Sequence, residues 1–241
     1  MTDALTLTNL SGRHGQLQAV KGVSLRLAAK EVLAVIGANG AGKTTLMRMI
    51  SGLHPAAEGE ILLHGAPVTS LPAHARLKAG IALSPEGRRL FGDMTVAENL
   101  QIAAENGRKG DWSMATVCDA LPQLTALLHR PAGGLSGGQR QAVAIARALI
   151  SNPSVMLLDE VSLGLSPAAV EGLYQSLETL RGHVTLILVE QDLTRAMAFC
   201  SRLICMAEGK LELDGPPATL TRQQITDAYF GIHKAKEPSH A

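Results

Sequence analysis

The sequence predicts an α/β fold in which strands and helices alternate around a phosphate-binding loop, with a purely helical lobe set into the chain. Three observations predict it. Gly37 to Thr45 reads G-x-x-x-x-G-K-[ST] between an apolar run, Glu31 to Ile36, and a helical run, Leu46 to Ile50. That strand–loop–helix order is the context the motif requires. Strand-like and helix-like segments alternate again from Val155 onward, whereas none of the segments from Thr95 to Ser151 reads as a strand, so the helices there form an inserted lobe.

Composition narrows the class. With 241 residues, 46% hydrophobic and 18% charged, the chain is long enough for one compact core or a core with a lobe. A formal net charge of +1 gives no support for a dedicated nucleic-acid binder. Aromatic residues make up only 2%, so Val, Ile, Leu, Ala and Met must build the interior. Cys118, Cys200 and Cys205 lack metal-ligand spacing and read as reduced core thiols of an intracellular protein. The stretch Met1-Thr2-Asp3-Ala4 lacks the start of a signal peptide, and apolar runs such as Val184 to Val189 are strand length. The expectation is a soluble protein that meets a membrane only through a partner.

In chain order, Ala4 to Leu10 and Val23 to Ala28 alternate apolar and polar as half-buried strands do, with a turn at His14-Gly15. Gly59 to Leu63 reads as another strand. Pro72 to Ala79 reads as a short helix opened by its proline. Ile81 to Leu83 is strand-like, and Ser84 to Arg89 breaks into a polar loop. Thr95 and Glu98 form a capping box ahead of a helical run to Ala104, and two or three helical pieces follow to Leu128. Val155 to Leu158 and Val184 to Val189 are strands; Pro167 to Leu180 and Leu193 to Ala198 are helices. Short strands near Leu203 and Leu211 to Leu213 follow, then a helix from Gln223 to Tyr229. The tail 233–241 is polar and expected to fray. These readings place one domain over 1–232, with the lobe at about 85–152.

Each motif carries its own chemistry. Gly37, Gly40 and Gly42 let the backbone, with Ala38, Asn39 and Ala41 between them, turn its N–H groups onto phosphate oxygens and approach them closely. Lys43 reaches the β- and γ-phosphates of ATP, and the Thr44 hydroxyl ligates Mg²⁺, with Thr45 completing the loop. Against this stands a plain glycine-rich turn before a helix. The fixed positions would match by chance in roughly one chain in a hundred, and the flanking strand and helix lower that further. Val155 to Glu160 is an apolar strand ending in two carboxylates at the ligand edge of a parallel sheet. Asp159 there faces Mg²⁺ and Glu160 polarises the attacking water. Strands commonly end in an acidic loop residue, so the pattern gains weight only beside Lys43 and Thr44. Leu135-Ser136-Gly137-Gly138-Gln139 opens a helix. Ser136 and Gln139 make a capping box that any helix could use, yet a cap needs no glycines, and two of them leave bare N–H groups at an anion-binding terminus.

From about Leu5 to about Tyr229 these residues resemble an ATP-binding-cassette ATPase. The resemblance implies a P-loop NTPase core of that type, with an antiparallel β subdomain and an inserted α-helical lobe. It also implies a head-to-tail dimer in which Ser136 and Gly138 of one subunit close on the γ-phosphate held by the other. Pro85-Glu86-Gly87-Arg88-Arg89-Leu90-Phe91 with Ser162-Leu163-Gly164-Leu165 is similar to the second ATPase subunit of bacterial branched-chain amino acid importers. That group implies a second ATPase as partner, membrane-spanning permease subunits, and a peripheral place on the cytoplasmic face of the inner membrane. It also implies no contact with nucleic acid or with the transported solute. The loop carrying Arg88, Arg89, Leu90, Phe91 and Met94 would then receive a helix of the permease; the competing reading is that Phe91 anchors the lobe.

Some positions depart from the superfamily pattern. His14 stands where an aromatic residue stacks on adenine, Glu86 where a Gln meets the metal, and Gln191 where a His contacts the γ-phosphate. Val161 replaces the usual Pro after the catalytic glutamate. The catalytic set implied is therefore Glu160, Lys43 and Gln191, with Thr44, Glu86 and Asp159 at the metal. The other histidines are read as solvated or locally satisfied. Two alternatives stay open: the same ATPase role for another cargo, such as urea, an amide or an exported lipid, or a soluble cassette protein outside transport.

Overall fold

The computed structural model describes residues 3–231, so the tail at 233–241 lies outside the described residues. The chain opens with a long hairpin, β1 (Asp3–His14) and β2 (Leu17–Ala28), closed by a two-residue turn at Gly15-Gln16. Both strands are longer than alternation alone indicates. The ladder continues past the apolar stretch to His14↔Leu17, where both residues are exposed and no core imposes a pattern. Then come β3 (Val32–Ile36), α1 (Lys43–Ser51), β4 (Glu58–Leu63), β5 (Ala66–Pro67), α2 (Ala73–Ala79) and β6 (Ile81–Ser84). Strand β5 has only two residues and carries no periodicity. Pro72, expected inside the first turn of α2, is its N-cap in extended conformation.

Between β6 and β7 lie α3 (Val96–Asn106), α4 (Met114–Ala120), 3₁₀ turns at Pro122–Leu127 and Ala132–Gly134, and α5 (Gly137–Leu149). Among the described residues this segment holds a single isolated bridge, Thr95↔Pro131, and no strand. The remaining elements are β7 (Val155–Asp159), α6 (Pro167–Glu178), β8 (Thr185–Val189), α7 (Leu193–Phe199), β9 (Arg202–Ala207), β10 (Lys210–Gly215) and α8 (Arg222–Tyr229).

The strands form two sheets. β2-β1-β4-β5 is antiparallel, and the six-stranded sheet runs β10-β9-β3-β8-β7-β6, parallel from β9 to β6 with β10 antiparallel at the edge. Every residue of β3, β7 and β8 is buried, as in a sheet covered on both faces. The two-residue period then sorts them. Leu33, Val35, Val155, Leu157, Ile187 and Val189 pack toward α1 and the antiparallel sheet. Val32, Ala34, Met156, Leu158, Leu186 and Leu188 pack toward the other helices. That second core runs unbroken into the inserted segment through Val96, Leu100, Val117, Leu121, Val143 and Leu149. The helical insertion therefore shares its interior with the sheet.

Two buried polar side chains fix connections that sequence periodicity does not show. Arg76, 2% exposed, donates to the carbonyls of Leu71, Met49, Ile50 and Thr69, and so caps the carbonyl end of α1. Asn99, fully buried, exchanges hydrogen bonds with the backbone of Phe91 and donates to Thr95 O, pinning the start of the insertion.

Candidate active site at the carboxyl edge of the parallel sheet

Four neighbouring strands end at one edge. β3 leads into the loop 37–42, β8 into Glu190-Gln191, β7 into Asp159-Glu160, and β6 into Glu86. Backbone bonds hold these ends in register, from Glu190 N to Val35 O (3.2 Å) and from Glu160 N to Val189 O (3.2 Å). The sequence-predicted residues Lys43, Thr44, Asp159, Glu160, Glu86 and Gln191 are thereby brought to one edge, the ligand edge of open α/β sheets.

The three loop glycines answer to different demands. Gly37 (φ 145°), Gly40 (φ 84°) and Gly42 (φ 102°) all lie in the left-handed half of backbone space. At Gly37 and Gly42 close packing adds a second demand. A Cβ at Gly37 would stand 2.2 Å from Met206 O, and one at Gly42 2.3 Å from Ala19 O. Gly40 makes no such close contact with the rest of the fold. That residue is exposed at the tip of the loop beside Asn39, and a Cβ there would meet nothing within 4 Å. Its positive φ is what calls for glycine, because the loop reverses direction at its tip instead of packing against the fold. Gly42 caps α1 without any side-chain bond, so the first-turn N–H groups stay open to an anion.

Lys43, only 4% exposed, donates from Nζ to Gly37 O (2.6 Å) and Ala38 O (3.0 Å). Burial lowers its pKa, and the nearby Glu160 and Asp159 carboxylates work against that shift. The Thr44 hydroxyl donates to Asp159 Oδ1 at 3.2 Å. Burial pushes Asp159 up to about 6; the Thr44 bond opposes this, and the Glu160 and Glu86 charges add to it. A divalent cation would relieve these crowded carboxylates, and hydroxyl plus carboxylate oxygens are the hard donors Mg²⁺ takes. Among the described residues no three His, Cys, Asp or Glu side chains converge tightly enough to hold a metal alone. Mg²⁺ therefore fits here as a companion of phosphate oxygens.

Glu160 sits at φ 49°, a left-handed conformation costing a non-glycine residue of order 1–3 kcal/mol. Gln191 is exposed, its N–H donating to the carboxylate of Glu190 (3.2 Å). Glu190 itself, 1% exposed, was not singled out in the sequence. Its Oε2 also accepts from Ser162 Oγ at 2.8 Å, and burial raises its pKa. The Tyr174 hydroxyl is turned toward the same carboxyl and is raised by burial and by that charge. Tyr174 Oη and Glu190 Oε1 nonetheless lie outside hydrogen-bond geometry, and neither has a partner. The available signal was a carboxylate directly after the apolar run Leu186 to Val189.

His14 lies on the exposed end of the hairpin, with Nε2 at 3.2 Å from Thr45 Oγ1. Its ring meets His54, centroids 4.4 Å apart, and His54 Nε2 is 2.9 Å from Arg13 O. A contact between residues so far apart in sequence leaves no spacing to read.

Residues 136–139 are not brought to this edge. Ser136 caps α5, receiving Gln139 N and giving its own N–H to Gln139 Oε1. A Cβ on Gly138 would stand 2.9 Å from Ala169 Cβ, so helix packing explains that glycine. A Cβ on Gly137 would meet Leu165 at an ordinary 3.5 Å, so packing does not. A cavity of about 550 Å³ lined by Ser136, Gly138, Ala142, Ala169 and Gly172 opens beside them.

The loop after β6 divides its labour. Gly87, Arg88 and Arg89 are all left-handed (φ 78°, 64°, 45°). Arg147 donates to the carbonyls of Arg88 and Arg89, while Arg88 Nε donates to Gln141 Oε1. Arg88 thus turns inward instead of offering a docking charge. Leu90 packs on the core and Phe91 stays 51% exposed, so Leu90 with Asn99 does the anchoring that the competing reading gave to Phe91.

The sequence profile of the ABC transporter family matches residues 20–162. High-affinity branched-chain amino acid transport ATP-binding protein BraG of Pseudomonas aeruginosa is 38% identical, over 94% of this chain and 99% of that protein. The probable branched-chain amino acid transport ATP-binding protein LivF of Archaeoglobus fulgidus is 36% identical, over 88% and 91%. BraF of Pseudomonas aeruginosa, another branched-chain amino acid transport ATP-binding protein, is 30% identical, over 94% and 97%. Among solved structures, the dimeric post-hydrolysis state of the cassette MJ0796 bound to ADP and Pi matches with a TM-score of 0.77 and 26% identity, covering 88% of this chain and 98% of that one.

Proposed function

The chain belongs to the ABC transporter family and is an ATPase, and from that premise we propose that it powers import of branched-chain amino acids through separate permease subunits. The observation that carries the mechanism is the convergence of Lys43, Thr44, Asp159 and Glu160 on one sheet edge. On this reading Lys43 exchanges its two loop carbonyls for β- and γ-phosphate oxygens, and the open N–H groups of α1 hold the same phosphates. Thr44 and Asp159, with Glu86 nearby, would hold Mg²⁺, which would neutralise phosphate charge there. Glu160 accepts a proton as water oxygen bonds to the γ-phosphorus. The bond from that phosphorus to the β–γ bridging oxygen breaks, its electron pair leaving with ADP. Gln191 donates an N–H bond to the γ-phosphate without carrying a proton. His14, backed by His54, offers the adenine a stacking face.

The Ser136-Gly137-Gly138 terminus makes no hydrogen bond to Lys43, Thr44, Asp159 or Glu160, which supports a site completed by another cassette. The family includes dimers such as MJ0796. BraG and BraF in one organism support a heterodimer with a second ATPase. Among the described residues no helix is long and apolar enough to cross a membrane, which fits a peripheral subunit on the cytoplasmic face. Exposed Phe91 fits a contact with the permease.

Reconstitution tests the reading. Vesicles carrying this chain, its permeases and a binding protein should accumulate radiolabelled leucine, isoleucine or valine with ATP hydrolysis, and urea should neither enter nor stimulate. Glu160→Gln should retain ATP binding and lose about 10²-fold or more of turnover. Urea-driven hydrolysis would reassign the cargo, and an active Glu160→Gln would reassign the base.

A further inference from the structure

Glu160 holds its left-handed conformation only because its surroundings over-determine it. Its N–H donates to Val189 O, its C=O accepts from Leu163 N (3.2 Å), and the adjoining Val161 is 1% exposed. Two side chains restrain the loop further: Arg88 Nη2 donates to Leu163 O at 3.4 Å, and closer to the turn Ser162 Oγ donates to Glu190 Oε2 at 2.8 Å. Glu190 is itself anchored at both sides, its N–H on Val35 O and its Oε2 taking the N–H of Gln191. Among the described residues it forms no salt bridge. A buried carboxyl with no cation beside it is costly to keep, and the hydrolytic chemistry above gives it no task.

We propose that Glu190 is a positioning residue for hydrolysis, holding the Glu160 turn through Ser162 and the Gln191 backbone through its N–H, so that both are aimed together at the γ-phosphate. One oxygen atom ties the loop after β7 to the loop after β8. Without that tie the strained turn relaxes, and the Glu160 carboxylate leaves its aim while the phosphate loop stays whole. Glu190 touches no reacting atom; its effect passes through Ser162 and Gln191. What the tie requires is an acceptor oxygen, not a charge. A glutamine keeps that oxygen, and its amide would face the unpartnered Tyr174 hydroxyl, which can accept from it.

The inference rests on Glu160 being the general base. The test uses the purified complex of this chain with its permeases and partner ATPase, the partner's own catalytic glutamate replaced, and reads kcat, ATP Kd and melting temperature. Glu190→Ala and Ser162→Ala should each lower kcat about tenfold to a hundredfold, with ATP Kd changed by no more than about twofold. Glu190→Gln should restore kcat to within about threefold of the parent, and the double alanine variant should fall no further than Glu190→Ala. Ser162→Ala removes one half-buried hydroxyl, so it reports even where Glu190→Ala unfolds. Parent kcat in Ser162→Ala overturns the proposal, as does a Glu190→Gln as slow as the alanine variant, or Kd rising in step with falling kcat. Glu160→Gln separates the two readings. If it stops turnover while Ser162→Ala does not, only the positioning role fails; if it turns over at the parent rate, the assignment of the base fails.

Discussion

The phosphate-loop half of the site and the Ser136–Gln139 half are both helix N-termini, and they are built on opposite plans. At α1 the terminus is enclosed: the loop packs against Met206 and Ala19, Lys43 is buried on loop carbonyls, and carboxylates stand close by. At α5 the terminus caps itself through Ser136 and Gln139 and lies beside an open cavity. The first arrangement buries a cation and a carboxylate, each shifted by burial and by its charged neighbours. The second is held by its own Ser136–Gln139 cap, with no buried charge at the terminus. A helix terminus gains its function from what the fold sets around it.

The largest test of this contrast is Lys43→Ala. It removes the buried cation from the phosphates, an effect of about 2–5 kcal/mol, or roughly 30-fold and more in ATP affinity. It also strips Gly37 O and Ala38 O of their partner, costing stability of order 1–3 kcal/mol. Titration with a fluorescent ATP analogue and a thermal melt read the two. Ser136→Ala, by contrast, should leave ATP affinity alone and cost about 1 kcal/mol through its cap. If both variants lose ATP affinity alike, the halves are not distinct.

The second test uses pH. Asp159 has its pKa raised to about 6 by burial, against an ordinary 3.8. The folded state therefore binds this proton more tightly than the unfolded chain does. Stability from this group is fully present below about 4 and is lost as pH rises through 6. Asp159→Asn should accordingly raise the melting temperature of the nucleotide-free chain at pH 7.5, by about 1–3 kcal/mol of stability. Mg²⁺ needs the ionised form, so the Mg²⁺-dependent part of ATP affinity should weaken about tenfold per pH unit below 6. Isothermal titration from pH 5 to 8 reads it. An Asn variant that melts lower than the parent would show that the Thr44 bond outweighs the burial cost.

What the sequence made legible follows the same division. Strand ends and the phosphate loop were readable because burial on both faces writes continuous apolar runs, and because close backbone approach demands glycine at Gly37 and Gly42. At Gly40 the fold itself calls for glycine only through the left-handed loop tip, and a sequence cannot separate that demand from close packing of the kind met at Gly37 and Gly42. Capping boxes at Thr95 and Ser136 are local, and both form. The end of the hairpin, Arg13 to Leu17, was not readable, since an exposed ladder leaves side chains free to vary. Nor were the ties made by Glu190 to Ser162, His14 to His54, or Arg76 to the end of α1, which join residues through tertiary structure without any period. The competing reading of Phe91 as the anchor of the lobe does not match its exposure, for a related reason. Leu90 and Phe91 are adjacent apolar residues in a loop with no regular period, and the backbone around them decides which one turns inward.

The smallest effect is the sharpest probe, because it sets two adjacent glycines of α5 against each other. A methyl at 138 would press on Ala169 Cβ at 2.9 Å, between two helices that cannot easily part. The crowding costs about 1–3 kcal/mol, less the 0.5–1 kcal/mol that alanine gains over glycine inside a helix. Gly138→Ala should therefore lower stability by roughly 1 kcal/mol, a fall of about 2–4 °C in a chain of this size. A methyl at 137 makes only ordinary contacts, with Leu165 at 3.5 Å and the Arg88 guanidinium at 3.9 Å, so Gly137→Ala should melt at or slightly above the parent temperature. Its bare face has no packing reason to exist. If that face is where a partner's γ-phosphate approaches the N–H groups, the methyl stands in the way, and turnover of the assembled transporter should fall roughly tenfold or more. ATP affinity of the isolated chain should stay unchanged, because this chain's own phosphate loop is elsewhere. Paired melting curves and ATPase rates on the two variants separate a glycine kept for packing from one kept for a ligand. Parent turnover in Gly137→Ala would leave the α5 terminus with no ligand role, and the comparison between the two helix ends would collapse to one site and one ordinary cap.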